Sequence, residues 1–175
     1  ALTAPVGLAD PPALRKEVRK LLAQSQRLVQ GSSFAEAARV LEAAPSGCSL
    51  PEQAALLWQR SLVQLRWARQ LRHGGDAAEA LRRAEHAIAS AQQAFELAGG
   101  GSRQLEGIAY LELGLDWQSL RAPEKALPEL VKATGLLTDG SGWEEIAWLS
   151  LGWLHYGQAR YVASLEAFQR ALDLT

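Results

Sequence analysis

Arg66, Arg69 and Arg72 recur three residues apart in the run S-L-V-Q-L-R-W-A-R-Q-L-R-H. On a helix this spacing places all three on one face, where planar guanidinium donors suit carboxylate or phosphate groups. The plainer reading is a solvated face, or partners for Glu79 and Glu85. Trp153 and Tyr156 have the same spacing. Rigid aromatics of this kind anchor apolar side chains of a partner, unless they pack between helices. Arg15, Lys16, Arg19, Lys20 and Arg27, interrupted by Glu17, make the best case for an anionic surface partner. No aromatic residues interleave with them, which argues against nucleic acid.

Catalytic chemistry finds little support. His73, His86 and His155 have no Ser or Cys nucleophile nearby in a recognisable catalytic setting. Cys48 is the single cysteine and lies in P-S-G-C-S, so neither an intramolecular disulfide nor a zinc-ligand spacing exists. The run Gly99-Gly100-Gly101-Ser102 lacks the Lys-Ser/Thr ending and the preceding strand of a phosphate loop, and reads as a hinge. Glu144 and Glu145 suit the first turn of a helix, where the dipole favours acids. The expectation is a protein without catalytic activity, metal or cofactor. A net charge of −1 and a pI of about 6.4 supply no basic field to draw in nucleic acid or anionic lipid. No apolar run approaches the ~18 residues of a membrane helix, so no membrane partner is expected.

These residues must be positioned by helices. With 48% hydrophobic residues in 175, the chain can bury one substantial core. Residues 1–12 hold three prolines without helical period and read as a linker. Methionine is absent, which fits a cytoplasmic chain trimmed at its start, an exported chain cut after a signal peptide, or a piece of a longer protein. From residue 13 the pattern becomes helical, with Asp10 and Pro11 as a start signal. Four helix pairs are expected, over 13–45, 51–98, 103–138 and 143–175. The second helix of the first pair should run from Phe34 to Ala44, before Pro45. Pro51 suits a first turn, Asp76 can cap the helix that follows it, and Pro128 should kink or loosen its helix.

Trp148, Leu151, Gly152, Tyr161, Ser164, Phe168 and Ala171 resemble one tetratricopeptide repeat, W-x2-L-G-x2-Y followed by A-x3-F-x2-A. His155 stands where that pattern has Tyr, and Ser164 where it has Ala. Phe34, Ala37, Leu41 and Ala44 repeat the second half, as do Ala80, Ala84 and Ala87, and Ala126, Leu130 and Ala133. Ala37, Ala80, Ala126 and Ser164 step by 43, 46 and 38 residues, more than the standard ~34, so the helices or loops are extended. The resemblance implies an all-α, right-handed α-solenoid of four hairpins and eight helices. Within each hairpin, Ser25, Ala68, Gly114 and Gly152 should face Ala37, Ala80, Ala126 and Ser164.

By the family's geometry the first helix of each hairpin lines a concave face. The residues placed there, free of packing duty, are Leu62, Leu65, Arg66, Arg69, Arg72 and His73 in the second hairpin. The third adds Leu111, Glu112, Leu115 and Gln118; the fourth adds Leu149, Trp153 and Tyr156. The carboxylate clamp of heat-shock co-chaperones is missing, because the matching places hold Leu65, Leu111 and Leu149 with Arg66, Glu112 and Ser150. The implied function is a non-catalytic interaction module or scaffold that binds a protein or peptide segment with acidic and apolar residues. The alternative is the peptide- or effector-sensing part of a bacterial signalling or transcription-regulating protein. Solenoid ends need covering, so the last hairpin is also expected to self-associate or meet further chain.

Overall fold

The computed structural model describes residues 14–98 and 102–175. The linker, the Asp10-Pro11 start signal and most of the glycine hinge lie outside the described residues. Eight helices follow in order: α1 (Lys16–Gln30), α2 (Phe34–Leu41), α3 (Leu50–His73), α4 (Ala77–Ala98), α5 (Ser102–Ser119), α6 (Pro123–Leu136), α7 (Gly142–Gly157) and α8 (Tyr161–Asp173). Among the described residues there is no strand.

Local chemistry explains most of the boundaries. Ser49 caps α3 through a reciprocal box: its hydroxyl accepts from the Glu52 backbone N–H, and the Glu52 carboxylate accepts from the Ser49 N–H. Pro51 fills the first turn, where a missing N–H is harmless. Asp76 accepts from the Glu79 N–H at 3.1 Å, and Ser141 caps α7 with Glu144 and Glu145 in its first turn. One expectation needs correction. α2 stops at Leu41, three residues short of Ala44, because tighter bonds from Glu42 to Arg39 and from Ala43 to Val40 close it. Pro45 also disfavours a helical residue before it. Pro128 lies inside α6, which runs through it to Leu136; in the ideal ladder position 128 would bond only the Glu124 carbonyl.

All four hairpins close with the same turn. Ser32, Gly75, Arg121 and Ala159 adopt positive φ, at 59°, 90°, 58° and 57°. The next N–H in each case reaches five residues back, from Ser33 to Leu28, Asp76 to Leu71, Ala122 to Trp117 and Arg160 to His155, at 2.8 to 2.9 Å. This is the terminal bond of a Schellman cap. Only one of the four uses glycine, so composition did not reveal that the turns are alike.

Small residues bring the paired helices together. Ser25 Oγ donates to the Ala37 carbonyl at 3.1 Å, and Ser164 Oγ donates to the Gly152 carbonyl at 2.9 Å. In the long second hairpin Ser61 Oγ adds a bond to the Ala87 carbonyl at 2.6 Å, two turns beyond Ala68 and Ala80. The pairing thus extends along helices of 24 and 22 residues, about six turns each. A Cβ placed on Gly114 would lie 2.6 Å from Leu130 Cδ2, and Leu130 is fully buried. Gly114→Ala is therefore expected to lower stability by about 1–3 kcal/mol through overpacking, read from urea melts followed by circular dichroism.

Each hairpin packs internally and against the next. Beyond this, α1 touches α3, α3 touches α5 and α5 touches α7, while the second helices make at most marginal contact with one another. Neighbours that approach on one side and splay on the other form a curve whose inner side carries α1, α3, α5 and α7. One core joins the second, third and fourth hairpins around Leu105, Ile108, Leu111, Leu130 and Leu137. A second core holds Val18, Phe34 and Leu41 against Leu56 and Val63 of α3.

Candidate binding face

The inner side is where the residues named from sequence were expected, and the structure divides them into three groups. Leu65 and Leu111 are buried in the core, so the expectation that they are free of packing duty is corrected. Both sit on helices that touch neighbours on either side, which leaves fewer open positions than an isolated hairpin would have. Arg66, His73, Trp153 and Tyr156 are exposed, and Leu62, Leu115, Gln118 and Leu149 are half-buried.

Glu112, Arg69 and Arg72 form the third group, an ionic cluster inside the fold. Glu112 is 1% exposed. Arg69 donates to its Oε1 through Nε (3.0 Å) and Nη2 (2.9 Å), and Arg72 Nη2 donates to its Oε2 at 2.6 Å. The Arg69 guanidinium also lies 4.6 Å from the ring centre of Trp143, so the cluster ties α3 to α5 and to α7. The partners anticipated for these arginines were Glu79 and Glu85. Glu79 instead pairs with Arg82 and Arg83 on its own helix. The second and third arginines of the triplet are thus engaged, while no ion pair to Arg66 is formed among the described residues.

Asp116, which the sequence reading did not single out, completes this cluster. It is fully buried; its Oδ1 lies 3.2 Å from Arg72 Nε, yet neither carboxylate oxygen has a hydrogen-bond partner. Burial pushes its pKa up to about 8; Arg72 opposes the shift and Glu112 adds to it. The available signal was the i, i+4 pair Glu112 and Asp116 on one helix, matched to Arg69 and Arg72 on another.

The basic run of α1 is also partly engaged. Arg15 Nε donates to Glu52 Oε2 at 3.0 Å. The Ser49 backbone N–H first, and then Arg15, hold the Glu52 carboxyl down at about 2 against the opposing effect of burial. Lys16, Arg19, Lys20 and Arg27 remain exposed.

At the other end Trp153 is 62% exposed and Tyr156 56%. Trp153 meets Tyr156 and Phe168 edge to face, with ring centres 6.0 and 5.1 Å apart, and Tyr156 meets Tyr161 at 5.8 Å. Val162, Leu165 and Leu172 of α8 are also exposed. His155 is half-buried on α7; burial, and then Arg160, lower its pKa. No helix among the described residues is long and apolar enough to cross a membrane.

A crystal structure of MamA covers 95% of this chain and 80% of its own, at 18% identity and a TM-score of 0.54. The fold is that of tetratricopeptide-like repeats. A MamA structure from Desulfovibrio magneticus RS-1 is 16% identical over 91% of this chain and 96% of that one, with a TM-score of 0.38. A putative kinesin light chain with nearly identical TPR-like repeats, from Podosopora anserina, is 14% identical over 94% and 96%, with a TM-score of 0.35. No family model matches the sequence, and no curated protein matches it. The tetratricopeptide-like fold is a scaffold suited to protein interaction in general. Of the residues expected on its inner face, Arg66, His73, Trp153 and Tyr156 are the exposed ones.

Proposed function

We propose that the inner face binds a protein or peptide segment containing acidic and apolar residues, without catalysis. The observation that carries this reading is the exposure of Trp153 and Tyr156 on α7. Large aromatics left in water lose apolar burial that a partner restores, and both rings are already held by edge contacts to Phe168 and Tyr161. Such preorganisation lowers the entropy lost on binding. Arg66 adds an exposed donor for an acidic group on the same side.

Selection from a displayed library of random dodecapeptides tests this. Enriched sequences should combine acidic with aromatic or aliphatic residues. Trp153→Ala should weaken the best peptide by about 2 kcal/mol, roughly 30-fold, with little loss of folding stability because the ring is mostly exposed. A library that yields no saturable binder, or binders indifferent to Trp153 and Tyr156 alike, would overturn the reading.

A further inference from the structure

Aligned on Ala37, Ala80, Ala126 and Ser164, the four second helices share a set of equivalent places, and three of these open to solvent only in α8. Leu165 is 69% exposed. Its counterparts Ala38, Leu81 and Leu127 are half-buried and packed against the two cores. Leu172 is 63% exposed, whereas Ile88 of α4 and Thr134 of α6 are buried at the same place. Tyr161 is 63% exposed, whereas Phe34 and Ala77 are buried and Pro123 is half-buried. The difference follows from the packing order: α2, α4 and α6 each lie against the first helix of the next hairpin, and among the described residues α8 has no such neighbour.

Tyr161, Leu165, Phe168 and Leu172 follow one another at steps of four, three and four residues, so they share one face and form an apolar seam along α8. Phe168 is half-buried, with its ring against Gly152. By the same helical spacing Glu166, Arg170 and Asp173 turn away from the seam, and uncharged Val162, Ser164, Gln169 and Ala171 flank it. A contact through this face therefore buries no charge, and its occupant must be a helix with an uncharged stripe of its own. In another copy of the chain α1 does not qualify, because apart from Ala23 every exposed residue on it is charged or glutamine, and a buried cation without a partner is costly.

The α8 helix of another copy does qualify. The four seam positions are symmetric about the midpoint between Glu166 and Ala167, so a second α8 turned end for end sets Tyr161 opposite Leu172 and Phe168 opposite Leu165. Each ring then meets a leucine, whereas a parallel pairing sets ring on ring and leucine on leucine, and large against smaller packs better. A patch complementary to itself closes as a two-fold pair and does not propagate.

We infer that two copies of this chain associate through α8, antiparallel, with Tyr161, Leu165, Phe168 and Leu172 as the seam. One helix of about three and a half turns makes a smaller contact than a standard interface, so the pair is weak, with a Kd of about 10–100 μM. The inference goes beyond the peptide-binding reading and does not rest on it.

Sedimentation velocity of the 175-residue chain from about 5 to about 500 μM should show the mass rising from 18.9 kDa toward twice that value and no further. Leu165→Glu should weaken the association at least about tenfold, because the change enters the seam twice, and Leu172→Glu should do the same. Helicity and Tm should stay at wild type in both, since these side chains are exposed in the single chain. Disulfide trapping in a Cys48→Ser background reads the register. Tyr161→Cys and Leu172→Cys chains should cross-link when mixed and not when each is alone, because the antiparallel pair holds like positions roughly 16 Å apart along the axis. A mass of 18.9 kDa throughout overturns the inference and leaves the seam to a helix of other sequence. Association indifferent to both Glu substitutions, growth beyond two chains, or cross-linking of either Cys variant with itself overturns it as well. Peptide selection repeated on Leu165→Glu, which keeps Trp153 and Tyr156, tests the earlier reading separately.

Discussion

Replacing Glu112 with alanine is expected to lower the unfolding free energy by about 3 kcal/mol, the largest loss foreseen for any single side chain on the inner face. Glu112 is buried and accepts three hydrogen bonds from Arg69 and Arg72. Breaking a buried ion pair from one side typically costs about 3–5 kcal/mol, because the remaining charge is left without compensation. The low end applies here for two reasons. The Arg69 side chain keeps 35% of its exposure and so retains some water. Arg72 is also 3.2 Å from Asp116, so the vacated guanidinium can favour ionisation of that neighbour. Urea melts should show the loss with an unchanged slope, while Arg66→Ala, at an exposed position, should stay within about 0.5 kcal/mol of wild type. A loss under 1 kcal/mol for Glu112→Ala would mean that the cluster does not hold α3 to α5.

The second large effect is a dependence on pH set by Asp116. Its carboxyl has a usual value of 3.8 and is raised to about 8 in the fold, chiefly by burial. Between those values the folded chain keeps a proton that the unfolded chain has released. Stability therefore falls as pH rises through this window, by at most about 1.4 kcal/mol per pH unit, and levels off above pH 8. Asp116→Asn keeps the group neutral and should remove the slope, so the variant gains on wild type most at the alkaline end. Other groups act differently. Glu52, held down at about 2, contributes stability present above its usual range and lost as pH falls toward 2. His155, whose pKa is lowered, favours folding as pH rises past its folded value toward its usual 6.5. The difference in Tm between wild type and Asp116→Asn, measured from pH 5 to 8.5, isolates the Asp116 contribution. A constant difference across that range would show that the carboxyl is ionised throughout.

Helix existence and pairing were legible in the residues because they rest on local rules. Apolar spacing, the start signals Pro51 and Asp76, and the small residues at positions 25, 37, 152 and 164 act within one hairpin, and each leaves a mark in a short stretch. The turns were less legible. Ser32, Arg121 and Ala159 take the same left-handed conformation as Gly75, driven by the bond that closes each hairpin rather than by residue type.

The inner face was the part that periodicity could not resolve. Arg66, Arg69 and Arg72 are equivalent by spacing, yet only the approach of α5 to α3 gives Glu112 to two of them and leaves Arg66 without an ion pair among the described residues. Leu65 and Leu111 became core, and Asp116 acquired its raised pKa, for the same reason. Charge pairing and desolvation depend on atoms tens of residues away along the chain. The amino-acid order thus determined the helices and which of them form hairpins. The stacking of one hairpin on the next decided which side chains are buried, which charges are neutralised and which remain exposed on the inner face.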